Sequence, residues 1–257
     1  MTKDTRARVA AYYDLNPNVP NDIPFYASRV PSTDASILEL GCGTGRVLVA
    51  LAALCRFSLG IDSSDAMLNR CRAKLNGAGV PSSRASVELG DITNFHLDRT
   101  FDMIIAPYVF QSLATDAEID GFLACARNHL NTTGTCVLHV FRPDCDPDAL
   151  LREWSTQRDE LLWETRSESG VVTCHRRAGW KEPTALVSFP QLIYSSYENG
   201  VMTDHAVLNT VMRCYSPEEF QKVILDHGLK ILRRWGGFAG EQYGQGPELV
   251  VECAEGT

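Results

Sequence analysis

The stretch Ile37-Leu38-Glu39-Leu40-Gly41-Cys42-Gly43-Thr44-Gly45 decides how this chain is read. Ile37 to Leu40 is a short, mostly apolar strand. Three alternate glycines follow at once, and Arg46 to Leu54 has the pattern of a helix. Glycines between a strand and a helix let the backbone approach a ligand closely and expose amides at the helix start. Their spacing narrows the ligand. A dinucleotide loop reads G-x-G-x-x-G. Counted from Gly41, Gly43 is in place, but Arg46 stands at the last position and the third glycine comes one residue early, at Gly45. A Walker loop needs Gly-Lys-Ser/Thr, and no lysine is present. Pyrophosphate binding is therefore disfavoured. Glu39 is the second clue, because a carboxylate in an apolar strand costs several kcal/mol unless it has a partner.

Outward from this loop, strands and helices alternate. Phe57 to Ile61 reads as a strand ending on Asp62, and Ser64 to Leu75 as a helix capped by Ser63 or Ser64. Ala85 to Leu89 is a third strand, before Gly90-Asp91. Phe101 to Ala106 is a fourth, broken by Pro107. A helix over Asp116–Leu130 and a fifth strand over Gly134–Phe141 follow. Such alternation means βαβ units and a parallel sheet with ligands at the carboxyl ends of its strands. Asp62 there can accept both ribose hydroxyls of a nucleoside, and Asp91 the exocyclic amine of adenine. Together with the loop they point to an adenosine ligand with a non-phosphate appendage.

The alternation stops after residue 142. Residues 146–163 look helical, and Val171–Trp180, Leu186–Glu198 and Met202–Arg213 look like antiparallel strands. Asn199-Gly200 is a hairpin signal between the last two. Ser216-Pro217-Glu218-Glu219 opens another helix with an N-cap, a proline at N1 and a capping-box glutamate. Leu229–Trp235 and Glu248–Cys253 are two final strands. At the amino end, residues 1–14 read as a short amphipathic helix and Ile23–Val30 as a second. The expected units are an N-terminal helical cap (1–34), a cofactor-binding core (35–142), an inserted antiparallel lid (143–213), and a C-terminal helix with a strand hairpin that completes the core sheet (214–257).

Composition sets the outer limits. Of 257 residues, 44% are apolar, enough for a substantial core without disulfide or metal staples. The formal charge of −8 argues against nucleic acid as the main partner. The longest apolar run, Val47 to Cys55, is far short of the roughly 18 residues of a membrane span. The amino terminus is polar, so no secretory signal is expected. The nine cysteines are scattered and none forms a C-x-x-C pair, so neither a disulfide framework nor a metal site is expected. Reduced thiols and a cytoplasmic location are the simplest reading.

Ile37–Gly45, the run Gly60-Ile-Asp-Ser-Ser-Asp-Ala-Met-Leu68, Leu89-Gly-Asp-Ile92 and Phe101-Asp-Met-Ile-Ile-Ala106 resemble, in order and spacing, the consecutive motifs of class I S-adenosylmethionine-dependent methyltransferases. Tyr13-Asp14 with Asp22-Ile-Pro-Phe-Tyr26, and the ending from Arg213-Cys-Tyr-Ser-Pro-Glu-Glu-Phe220 to Trp235-Gly-Gly-Phe238, resemble one bacterial small-molecule branch that includes aminosugar N-methyltransferases. The resemblance implies an α/β, Rossmann-like seven-stranded methyltransferase sheet with an inserted antiparallel β lid, and S-adenosyl-L-methionine as cofactor. It implies that Glu39 orients the cofactor's amino group, and that Gly41, Gly43 and Gly45, with Cys42 among them, pass under the methionine moiety. Asp62 would hold the ribose, with Ser63 and Met67 on the adenine side. Asp91 and Ile92 would receive the adenine, and Ala106 and Pro107 would face the sulfonium. Tyr13 and Arg29 would come down from the amino-terminal segment, Arg29 pairing the methionine carboxylate.

The expected reaction is in-line methyl transfer to a nitrogen or oxygen of a small molecule. Tyr13, Gln111 and His139 are the catalytic candidates. Gln111 stands where many relatives have a histidine, and it cannot act as a base near neutral pH. Tyr108, Phe110, Tyr197, Arg213 and Tyr215 are the candidates for the acceptor pocket. No metal, nucleic-acid or membrane partner is expected, and a homodimer is admitted. Two other readings stay open: a cofactor-binding partner subunit that transfers nothing, and a methyltransferase of protein or RNA.

Overall fold

The computed structural model describes residues 4–144, 146–155, 158–168 and 170–256. Five strands alternate with helices in the first half: β1 (Ser36–Leu40), β2 (Phe57–Asp62), β3 (Ala85–Leu89), β4 (Phe101–Ala106) and β5 (Leu130–Phe141). The helices are α1 (Ala10–Tyr13), α2 (Ile23–Ala27), α3 (Arg46–Leu51), α4 (Asp65–Gly77) and α5 (Asp116–Asn128). The lid region holds α6 (Pro147–Glu153), β6 (Glu160–Ser167), β7 (Gly170–Glu182), β8 (Val187–Glu198), β9 (Val201–Asn209) and β10 (Met212–Arg213). Then come α7 (Pro217–Asp226), β11 (Leu229–Trp235) and β12 (Glu248–Glu255).

The central sheet has seven strands in the order β11-β12-β5-β4-β1-β2-β3. The pairings among β1 to β5 are parallel, and β12 lies antiparallel to both β5 and β11. All five residues of β1 are buried, as a strand covered on both faces requires. Ile37 packs with Val47 and Leu51 of α3 on one side. Leu38 and Leu40 pack on the other, in a cluster with Phe122 of α5 and Phe220 of α7. The βαβ alternation thus builds an open parallel sheet whose carboxyl edge carries the glycine loop, Asp62 and the segment after β4.

The second sheet is antiparallel, with β10-β8-β7-β6 in line and β9 on β8. Asn199 and Gly200 both take the left-handed conformation (φ 50° and 79°), the geometry of a two-residue hairpin turn. Several expected boundaries move, three of them substantially. The helix expected over 146–163 is only α6, capped by Asp146, whose carboxylate accepts from the Ala149 N–H at 2.9 Å. From Glu160 the chain pairs with β7 instead, so strand pairing overrides local helix propensity. The stretch Met202–Arg213 divides into β9 and β10. The amino-terminal helix is a single turn, α1.

The lid rests on the amino-terminal segment. Trp163, Cys174, Tyr194, Ala206 and Leu208 of the lid form one apolar cluster with Val9, Ala10 and Tyr12, and with Met67 of α4. Among the described residues no helix is long and apolar enough to cross a membrane. The described cysteines are free thiols; Cys145 lies outside the described residues.

Candidate active site

The glycine loop is held by its own backbone and by Asp62. The N–H groups of Gly41 and Cys42 both donate to the Ile61 carbonyl, at 2.8 and 3.0 Å. The Gly43 N–H donates to Asp62 Oδ2 and the Ser64 N–H to Asp62 Oδ1, each at 2.9 Å. Asp62 is 2% exposed, and each of its oxygens keeps a second acceptor position for a ligand. Two glycines are required for contrasting reasons. A Cβ on Gly45 would lie 2.2 Å from Cys71 Sγ, so the loop is pressed against α4 there. A Cβ on Gly43 would meet nothing within 4 Å, so this residue faces open space at the carboxyl edge.

Glu39 lies beneath this loop. Its side chain is 3% exposed, and its Oε2 is buried with no hydrogen-bond partner. Burial pushes its carboxyl well above the usual carboxylate range. The Tyr26 hydroxyl is also buried without a partner, and burial raises that phenol too. Between them runs the ion pair of Arg46 with Asp22, a two-pronged contact with Nη2–Oδ2 at 2.7 Å, in which Asp22 is fully buried. Arg46 and Asp22 both act on the Glu39 charge, the first favouring it and the second opposing it. An orphaned carboxylate oxygen and an orphaned hydroxyl under a glycine cradle fit a ligand that brings its own cation and acceptor, such as an amino-acid end. An amino-acid-bearing adenosine cofactor has that chemistry.

A strap closes over the loop from the amino terminus. Asp14 Oδ1 accepts from Thr44 Oγ1 at 2.7 Å and from Lys74 Nζ at 2.5 Å, and its Oδ2 accepts from Arg70 Nε at 3.1 Å. Asp4 Oδ2 accepts from Ser64 Oγ and the Ala66 N–H at 3.0 and 3.1 Å. On the strap's other side, the Tyr12 ring stacks on Tyr194 at 5.3 Å and its hydroxyl donates to Asp204. None of Asp4, Tyr12, Asp14, Asp22, Tyr26, Arg46 or Glu248 was among the expected site residues. Asp22 and Arg46 could have been found as a buried-charge signal: Asp22 sits beside an apolar run, and Arg46 directly follows the glycines.

After β4, Ala106 and Pro107 are buried at the carboxyl edge, and Tyr108 takes a left-handed backbone (φ 57°). Its N–H donates to His139 Nδ1 at 3.2 Å, and its hydroxyl donates to Glu248 Oε1 at 3.3 Å. An amide N–H can only donate, so His139 Nδ1 carries no proton. The proton sits on Nε2, which donates to Glu248 Oε2 at 2.7 Å. His139 therefore has both nitrogens engaged and is fully buried. Gln111 is engaged as well: its Oε1 accepts from the Phe141 N–H at 2.8 Å.

The remaining expected residues divide. Asp91 is exposed, and its Oδ1 accepts from the Thr93 N–H and hydroxyl. Ile92 packs half-buried on the main core, and Ser63 is exposed beside Asp62. Met67 is fully buried under Tyr12 and the lid. The Cys42 thiol is pushed up by its hydrogen bond with Cys71 and by burial, and it fills space against Gly60, where a Cβ would lie 2.6 Å from its sulfur. Tyr13 is exposed at the end of α1. Arg29 is held by its own neighbourhood, and its Nε is buried without a hydrogen-bond partner. Its guanidinium lies over Phe25 at 3.5 Å and Trp235 at 4.2 Å, and donates to the Phe25 carbonyl. Tyr197 is half-buried on β8. Phe110 is fully buried with Phe122, Phe220 and Tyr215, so the ring contacts of Phe110 and Tyr215 are core packing. Arg213 pairs with Asp116 at 2.9 Å on the α5–α7 side.

Within the lid region, Trp154, Ala178, Ser188, Pro190 and Met212 line a cavity of about 320 Å³. Arg176 stands at its rim and holds Glu153 and Glu160 at 2.8 and 2.6 Å. β10, which carries Met212, packs against the turn at Phe110–Ser112 that follows Tyr108. Every residue that lines the cavity belongs to the lid region, and β10 is the strand that links it to the turn after Tyr108.

Residues 37–134 match the family described as a methyltransferase domain. A carboxy-S-adenosyl-L-methionine synthase from Wolinella succinogenes is 32% identical over 112 residues, and the shared region spans 42% of this chain and 44% of that protein. Among solved structures, the CcbJ methyltransferase from Streptomyces caelestis superposes with a TM-score of 0.77 at 20% identity, over 99% of this chain and 98% of that one. CalS10, an amino pentose methyltransferase from Micromonospora echinaspora involved in calicheamicin biosynthesis and bound to S-adenosylmethionine, gives 0.65 at 20% identity, over 90% and 87%. Residues 37–134 thus match a methyltransferase domain, and nearly the whole chain shares its fold with solved methyltransferase structures.

Proposed function

We propose that this chain binds S-adenosylmethionine and catalyses in-line transfer of its methyl group to a nitrogen or oxygen of a small molecule. The observation that carries this reading is the unpartnered, buried Oε2 of Glu39 beneath the open face of Gly43. Glu39 accepts the ligand's ammonium. Gly43 leaves room for the methionine chain, and Tyr26 donates its free hydroxyl to the carboxylate. Asp62 keeps acceptor positions for the ribose, and Asp91 keeps Oδ2 for the adenine amine. The bound cofactor supplies an electrophilic methyl group on a sulfonium.

The acceptor is assigned to the cavity of about 320 Å³ within the lid region, which is in the size range of small-ligand sites and whose β10 packs on the turn after Tyr108. Similarity to proteins described as amino pentose and sugar N-methyltransferases supports a small acceptor. His139 and Gln111 are engaged within the fold, so neither takes the acceptor's proton. That favours a neutral amine, which attacks without prior deprotonation and releases its proton afterwards. The strap and lid exclude water and align the reactants.

The same engaged side chains favour a second reading, a partner subunit that binds cofactor without turnover. Calorimetric titration with S-adenosylmethionine, S-adenosylhomocysteine and NADH tests the first step. Binding of the first two, on the order of micromolar, with none of the third is expected. Absence of binding to either sulfur compound refutes the proposal. Binding with no methyl transfer across an amine and alcohol panel selects the partner subunit.

A further inference from the structure

Tyr108 is a non-glycine residue in the left-handed region (φ 57°), directly after β4. Such a conformation is strained and persists only where the surroundings impose it. Here they are closed into a ring. The Tyr108 N–H donates to His139 Nδ1, His139 Nε2–H donates to Glu248 Oε2, and the Tyr108 hydroxyl donates back to Glu248 Oε1. The Tyr108 ring also meets the His139 ring edge-on, at 4.2 Å between centroids. The pairing of β12 with β5 explains how Glu248 arrives there. Glu248 is opposite Phe141 and Val250 is opposite His139, so Glu248 and His139 are diagonal neighbours across the two strands.

The ring reaches the glycine loop through one more residue. Val109 packs on Gly41 so closely that a Cβ on the glycine would lie 2.4 Å from Val109 Cγ2. Wherever the Tyr108 backbone is held, Val109 is placed, and with it the near wall of the loop. The Tyr108 hydroxyl also lies close enough to Asp22 and Arg46 to feel their charges, next to the orphaned Tyr26 and Glu39 groups.

We propose that Glu248, on the last strand of the chain, is a positioning residue for the cofactor site, acting through His139 and Tyr108. It fixes the imidazole tautomer, and that tautomer supplies the acceptor that holds the strained Tyr108 backbone. The proposal rests on the cofactor reading above. It assigns Glu248 no proton transfer.

The test compares Glu248→Ala, Glu248→Gln and Tyr108→Phe with wild type, reading S-adenosylhomocysteine affinity by calorimetry and thermal midpoint separately. Glu248→Ala leaves the His139 N–H without an acceptor and frees the Tyr108 turn, so affinity falls roughly tenfold or more. Glu248→Gln retains a carbonyl for His139 and an amide for the Tyr108 oxygen, so most of the affinity returns. Tyr108→Phe loses one long hydrogen bond and keeps the backbone contact, so its loss is smaller than that of Glu248→Ala. Wild-type affinity in folded Glu248→Ala overturns the proposal. So does Glu248→Gln binding as weakly as Glu248→Ala with an unchanged midpoint. If Glu248→Ala fails to fold, Glu248→Asp, one methylene too short to hold His139 Nε2, takes its place: a several-fold weaker affinity than Glu248→Gln supports the proposal, and an affinity equal to wild type overturns it. Failure of wild type itself to bind refutes the cofactor reading instead.

Discussion

Two glycines two positions apart should respond to the same substitution in opposite ways. Gly43→Ala and Gly45→Ala both place an L-residue at positive φ, 53° and 81° respectively. That alone costs about 1–2 kcal/mol. At Gly45 the new methyl also falls 2.2 Å from Cys71 Sγ, with the Cys71 Cβ at 3.2 Å. Overpacking of this kind adds about 1–3 kcal/mol, so the total is roughly 2–5 kcal/mol. For a chain of this size each kcal/mol moves the midpoint by roughly 2–4 °C, giving a fall of about 4–20 °C for Gly45→Ala and about 2–8 °C for Gly43→Ala. Ligand response should reverse the order of damage, because the Gly43 methyl points into the space left for the cofactor. In wild type, S-adenosylhomocysteine at about a hundred times its dissociation constant should add about 2.7 kcal/mol of stability. Gly43→Ala should lose most of that increment, whereas Gly45→Ala, where folded, should keep a larger share. Thermal unfolding with and without ligand measures both. A full ligand increment in Gly43→Ala would show that the open face of the loop is not where the cofactor lies.

Glu39 makes a proton prediction. Burial raises its folded-state pKa, so the ligand-free protein gains stability from this group at low pH and loses it as pH rises above about 4.3 towards the raised value. Glu39→Gln should therefore flatten that part of the stability–pH curve and abolish tight S-adenosylhomocysteine binding. In wild type a bound ammonium should ionise the carboxyl, so titration in buffers of different ionisation enthalpy should detect proton release. Asp14 carries the opposite sign. Burial would raise its carboxyl, but hydrogen bonds from Lys74 and Thr44 outweigh burial and hold it below its usual value. Its contribution is present above about pH 3.9 and lost as pH falls through the lower folded value. Asp14→Asn should cost on the order of 1 kcal/mol at neutral pH and remove this part of the acid limb, as acid titration of unfolding will report. Tyr12→Phe should remove the hydroxyl's contact with Asp204 and raise the rate of proteolysis within the lid; an unchanged rate would show that the apolar cluster alone seats it.

The core and glycine loop were legible because their physics is local. A strand buried on both faces must be apolar, a left-handed loop favours glycine, and capping boxes such as Ser216 with Glu219 are written within four residues. β3, β4 and β11 accordingly fall where the sequence places them. The lid was less legible. Its strands depend on pairing with one another, so local propensity extended α6 too far and merged β9 with β10. Phe110 and Tyr215 read as pocket residues because aromatic side chains near a site have the same composition whether they face ligand or core; only the packing against Phe122 and Phe220 distinguishes them.

What stayed hidden shares one cause: each missing contribution closes a long-range loop in the chain. Glu248 meets His139 from a strand inserted antiparallel beside β5, and Asp14 meets Lys74 and Thr44 across the glycine loop. Neither carboxylate has a sequence neighbour that reveals its partner, and each looks like an ordinary surface acid. Both act on the one part of the site that local rules leave undetermined, its walls. The glycine loop supplies a floor with an open face at Gly43, and a floor alone discriminates little among adenosine ligands. The near wall depends on where Val109 is held against Gly41, and the cover depends on how the strap is tied to α4 and the lid. Floor residues should thus govern whether the cofactor binds at all. Substitutions at Asp14 and Glu248 should instead change how tightly the site closes around it, with smaller losses of affinity and larger losses of turnover.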